Sequence, residues 1–141
     1  MNKIVFFIGT FFLFLFLNGC SDNHISFIHS KILAKEEINC MRLSLFPPKE
    51  SIQKKFLSLY PFEKNCNKEL MVSYKESIVC NSSQNAQKKA LGMAKSYLRL
   101  ELKKENILVY SYYIDLADSI GEEDIENGFS VMESTLPLRA K

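Results

Sequence analysis

The stretch from Ile4 to Leu17 limits how much of this chain can enter a fold. Its fourteen residues are almost all apolar and rich in phenylalanine; Lys3 precedes them and Leu17-Asn18-Gly19-Cys20 closes them, with polar Ser21-Asp22-Asn23 next. A charged start, an apolar middle and a small residue before a polar sequence are the marks of a secretory signal peptide, which is removed before the mature protein works. As a helix the run reaches about 21 Å at about 1.5 Å per residue, short of the roughly 30 Å hydrocarbon core that a membrane-spanning helix must cross. Cleavage after Gly19 leaves 122 residues, 20–141, enough for one domain with a modest core. Six of the eleven phenylalanines leave with residues 1–19, so the 47% hydrophobic content overstates the mature part.

The cysteine directly after the small residue resembles the lipobox of bacterial lipoproteins. The resemblance covers residues 1–23: Leu17 stands three before Cys20 and Gly19 one before it, while Asn18 departs from the Ala, Ser, Thr or Val common at that position. It implies cleavage between Gly19 and Cys20, a diacylglycerol on the Cys20 sulfur and an acylated amino group. It also implies a location: Ser21, rather than Asp, is what the sorting rule of enteric-type bacteria associates with the outer membrane, facing the periplasm. An ordinary secretory signal would want a small residue where Leu17 stands. Each buried methylene contributes about 0.8 kcal/mol and one chain holds a protein only marginally, so the several chains of a tri-acylated cysteine are what make a durable tether.

Without Lys3 the mature chain carries 17 Lys and Arg against 16 Asp and Glu. That balance argues against a dedicated nucleic-acid binder, which needs a basic excess to displace counterions. Residues 20–110 hold 15 basic and 9 acidic side chains, and residues 111–141 hold 2 and 7, with Asp115, Asp118, Glu122, Glu123, Asp124 and Glu126 forming most of the negative end. Such polarity can steer a charged partner; a solvated acidic helix start explains it as well. With Cys20 acylated, Cys40, Cys66 and Cys80 remain, which predicts one disulfide and one thiol in an oxidising compartment. The favoured pair is Cys66–Cys80, whose short polar loop gives a bridge worth about 3 kcal/mol. Cys40–Cys80 is the second choice, across two strand-like segments. The spacing fits no zinc pattern.

Along the chain, residues 20–29 read as the lipidated cysteine and a tether, and residues 30–141 as one globular domain. Ser30 to Glu37 can form a helical turn. From Ile38 to Phe46, Met41, Leu43 and Leu45 alternate with Cys40, Arg42 and Ser44, the period of a half-buried strand. Pro47-Pro48 can open a helix carrying Ile52, Phe56, Leu59 and Tyr60, which Pro61 stops. Leu70, Val72 and Tyr74 begin a second strand that runs on to Cys80. Asn81-Ser82-Ser83 supplies caps for a long helix over Gln84 to Lys104, with a stripe of Ala86, Ala90, Met93, Tyr97 and Leu100. Ile107 to Leu116 is the clearest strand, β-branched and aromatic on both sides and so expected inside a sheet. Ser119 and Glu122 have capping-box spacing before a last helix to about Ser134, with Ile125, Phe129 and Met132 inward. The fold expected is α+β, a three- to four-stranded sheet with helices largely on one face; a small α/β arrangement is the alternative.

The sequence offers little chemistry. His24 and His29 fall in or near the tether, where no core holds them for acid–base work. There is no phosphate loop, nucleophile elbow or HExxH helix. Asp115 to Glu126 has the length of a calcium loop, but Ala117, Ser119 and Ile120 occupy its third, fifth and sixth positions. Tyr110, Tyr112 and Tyr113 can form a sugar platform, although aromatics at strand spacing more often pack a core. No cofactor or metal is expected. The function expected is a non-enzymatic accessory or assembly subunit of an envelope complex, bound to the membrane by its lipid and to a protein partner. The alternative is a secreted, disulfide-stabilised binding module without a lipid.

Overall fold

The computed structural model describes residues 24–78 and 94–139; Gly19, Cys20, Cys80 and the first half of the expected 84–104 helix lie outside them. Five strands form one mixed sheet: β1 (His24–Ile28), β2 (Arg42–Phe46), β3 (Lys68–Lys75), β4 (Ser96–Lys104) and β5 (Ile107–Leu116), in the spatial order β1-β5-β4-β3-β2. Among the described residues two helices, α1 (Glu50–Leu59) and α2 (Glu122–Thr135), and a 3-10 turn at Leu33–Lys35 accompany it. The class is α+β, with five strands instead of the three or four expected. β2 and β3 are parallel, joined by α1, and the other pairs are antiparallel. A parallel pair needs such a crossover, and a helix supplies it.

Strand alternation builds the core. Leu70, Leu102 and Tyr110 stand in one row across β3, β4 and β5, followed by rows Val72–Leu100–Tyr112 and Tyr74–Leu98–Ile114, all buried. Ile52 and Phe56 of α1 and Ile125, Phe129 and Met132 of α2 join the same cluster, so both helices share this face of the sheet. Each fully buried side chain of this size contributes about 1.5–3 kcal/mol. The helices clasp one another through Phe56 and Phe129, edge to face at 6.4 Å, and through Lys55, which pairs with Glu126 and with Glu122 at 3.2 Å. The α2 cap sits two residues later than the Ser119 and Glu122 spacing predicts: the Gly121 N–H donates to the Asp124 carboxylate at 2.7 Å. Three acids in this first turn complement the helix dipole.

Gly128 brings α2 against the sheet. A Cβ there would stand 2.9 Å from Tyr112 Cε1 and 3.3 Å from Leu100 Cδ1. Alanine ordinarily favours a helix by about 1 kcal/mol over glycine, but overpacking costs about 1–3 kcal/mol. Gly128→Ala is therefore expected to lower the urea midpoint, and a raised midpoint would contradict this packing.

Three further sequence expectations change. The 84–104 helix gives way, from Ser96 onward, to β4. Leu98, Leu100 and Leu102 are buried while Arg99 and Glu101 face the other way, so period two wins over the helical stripe of Tyr97 and Leu100. Glu105 and Asn106 have φ of 50° and 70°, closing β4 on β5 with a two-residue turn of the kind that matches strand twist. The segment assigned to a tether is also a strand, since β1 pairs with β5 from His24↔Ile114 to Ile28↔Tyr110. Finally, the disulfide joins Cys40 to Cys66, not Cys66 to Cys80 or Cys40 to Cys80, with 6.1 Å between Cα atoms. Parallel pairing explains it: Arg42 opposes Glu69, so the residues just before β2 and β3 emerge side by side.

Candidate functional site

Among the described residues, both helices pack on one face of the sheet and none covers the other. Two rows cross it, Ile25–Tyr113–Arg99–Ser73–Phe46 and Phe27–Ser111–Glu101–Met71–Ser44. Ile25, Phe27 and Phe46 are 68%, 59% and 68% exposed, three large apolar side chains in water on one face. Phe46 stands alone at the β2 edge, and isolated exposed apolar residues need no explanation, but Ile25 and Phe27 share the β1 edge, and grouped apolar side chains mark an interaction surface. Tyr97 stacks on Tyr113 with ring centroids 5.7 Å apart, and Phe27 meets His29 edge to face at 4.8 Å. The β1 side of the face thus carries Ile25 and Phe27 beside the Tyr97–Tyr113 stack, with Ile25 opposite Tyr113.

Several of its charges are held by neighbours on the same face. Arg42 donates to Glu69 at 2.8 Å and Ser44 donates to the same carboxylate. The Arg42 guanidinium, then the Ser44 hydroxyl, hold the Glu69 carboxyl below the usual range against a smaller opposing effect of burial. Glu101 takes both Arg99 and Lys103. Tyr113 donates to Asp115 at 2.6 Å. That carboxylate, with burial second, pushes the Tyr113 phenol up to about 12. The shift favours the neutral phenol, so Tyr113 stays protonated as pH rises through the ordinary tyrosine value of about 10. Burial also raises the phenols of Tyr60, Tyr74 and Tyr110, so absorbance titration should find several late phenols, of which Asp115→Asn should bring Tyr113 back towards 10. A Tyr113 phenol unmoved by that substitution would refute the pairing.

The sequence candidates scatter. Tyr110 and Tyr112 lie buried under α2, so only Tyr113 of the three faces the open side, and its partner Tyr97 comes from β4. The twelve residues from Asp115 to Glu126 run from β5 through a turn into α2, and their acids have internal tasks: Asp115 holds Tyr113, Asp118 faces Lys95 at 3.4 Å, Asp124 caps α2, and Glu122 and Glu126 hold Lys55. Among the described residues no group of His, Cys, Asp and Glu could hold a metal ion, and no helix is long and apolar enough to cross a membrane.

Sequence reasoning missed the setting of both histidines. His24 stacks on Tyr112 at 5.4 Å beside a shallow cleft of about 310 Å³ shared with Asp124, Asn127 and Ser130 of α2. The His29 Nε2 lies 2.8 Å from the Ser111 hydroxyl. A serine–histidine contact invites a nucleophilic reading, but the pair is exposed, and no carboxylate among the described residues hydrogen-bonds the imidazole to orient it. Compared with protein-family models, curated proteins and solved structures, the chain matches none.

Proposed function

We propose that this chain is a membrane-anchored envelope lipoprotein whose domain serves as a non-enzymatic accessory or assembly subunit of an envelope complex. The reading rests on the position of Cys20: β1 begins at His24, four residues on, so the lipobox-like cysteine lies at most about 14 Å of extended chain from the sheet. Acyl chains there would hold the domain directly on the bilayer, by its β1 edge. The Cys40–Cys66 bridge supports the compartment, because such bonds persist where conditions are oxidising, as in the periplasm. The exposed patch on the open face supports binding over catalysis, and Ser21 favours the outer membrane.

The test is detergent phase partitioning with chemical crosslinking in the producing cells. The processed protein should enter the detergent phase, Cys20→Ser should return it to the aqueous phase, and crosslinking should capture a defined envelope protein. A protein that stays in the aqueous phase, or that crosslinks to nothing, would overturn the proposal. The second reading, a secreted module without lipid, draws on the same bridge: with Cys40 and Cys66 joined, Cys20 and Cys80 are left as a possible second pair. A thiol count separates the two, since an acylated Cys20 leaves Cys80 as one free thiol and a second bridge leaves none.

A further inference from the structure

We propose that the β1 side of the open sheet face lies against the bilayer, with Ile25 and Phe27 seated at the level of the lipid headgroups. This rests on the acylation of Cys20 proposed above, and adds which surface meets the membrane. Ile25 is five residues from Cys20, at most about 18 Å of extended chain, so an anchored cysteine keeps this surface beside the bilayer. The surface has interfacial chemistry: two exposed apolar side chains from β1, the stacked rings of Tyr97 and Tyr113, and the long side chain of Arg99, opposite Tyr113 on β4 and paired at its head with Glu101. Tyrosines settle where one end is apolar and the other wet, and arginine stems lie on apolar surface while the charged head stays in water.

Backbone hydrogen bonding sets the depth. Among the described residues β1 is an edge strand with no strand on its outer side, and unpaired backbone groups are costly in hydrocarbon. Side chains of β1 can therefore enter the boundary while its backbone remains hydrated. Sheet twist selects the side. Neighbouring strands turn by about 20–25°, so four steps from β1 to β2 rotate the face by about 80–100°. When Ile25 and Phe27 point at the membrane, Phe46 at the far edge points along it.

The sequence contains no tryptophan, so a single introduced indole reports on one position. The acylated full chain carrying F27W, I25W, F46W or L57W would be reconstituted into phosphatidylethanolamine and phosphatidylglycerol vesicles, with and without bromine on the acyl chains. F27W and I25W, at exposed sites that need no repacking, are expected to lose emission to bromine and shift to the blue, while F46W and L57W do neither. If F27W and I25W are quenched no more than L57W in protein whose mass shows an acylated Cys20, the orientation is wrong and the anchor stands. If F46W is quenched as strongly as F27W, the face is not presented as proposed. If, in native membranes, F27W is shielded from acrylamide yet untouched by bromine lipids, a protein covers the patch and the proposal fails. An unmodified Cys20 overturns both this proposal and the anchor on which it rests.

Discussion

Replacing Cys40 and Cys66 together with alanine is expected to lower stability by about 3–4 kcal/mol. The two cysteines are 26 residues apart, and closing a loop of that size removes about 3–4 kcal/mol of chain entropy from the unfolded state. The effect should be local first. β2 is five residues long and, among the described residues, stands at the sheet edge and pairs only with β3, in the parallel manner that is slightly less stable per residue. The bridge pins the start of this pair, so amide exchange in β2 should accelerate more than in β4 or β5. Non-reducing peptide mapping should recover the Cys40 and Cys66 peptides as one. An unchanged urea midpoint in the double variant, or a Cys66–Cys80 peptide, would refute the arrangement.

Phe129→Ala is expected to cost about as much, 3–5 kcal/mol by the usual range for a buried aromatic. The Phe129 ring is 2% exposed and meets Phe56 at 6.4 Å and Tyr60 at 6.3 Å. Truncation removes apolar burial and also the aromatic contacts, which add about 0.5–1.5 kcal/mol each beyond area. Against the 5–15 kcal/mol typical of a domain, that loss is a large share of the stability, and it falls on the packing of α2 against α1. Phe129→Leu keeps most of the volume and should cost clearly less. A cost below about 1 kcal/mol for the alanine variant would show that the helices do not meet as described.

The sequence makes some of these elements readable because one physical signal dominates. Ile107 to Leu116 carries β-branched and aromatic residues throughout and becomes β5 with the same bounds. Ile52 and Phe56, like Ile125, Phe129 and Met132, recur at helical spacing and are buried as expected. β4 is harder, because its Leu, Glu, Lys and Arg are helix formers and only the strict alternation from Tyr97 to Lys103 betrays a strand. β1 hides by inversion: Ile25 and Phe27 alternate with His24 and Ser26, but the apolar pair points to the open face. The disulfide depends on parallel pairing of β2 with β3, which no local pattern states. The open face is likewise a product of register, since Tyr97, Tyr113, Ile25 and Phe27 come from three strands.

The intact mass of the protein purified from its own membrane tests the central claim most directly. The account predicts a chain starting at Cys20, heavier by a diacylglycerol and an amide-linked acyl chain, with one disulfide and a single thiol at Cys80. A chain starting at Cys20 with no added mass, or one that keeps residues 1–19, would contradict it.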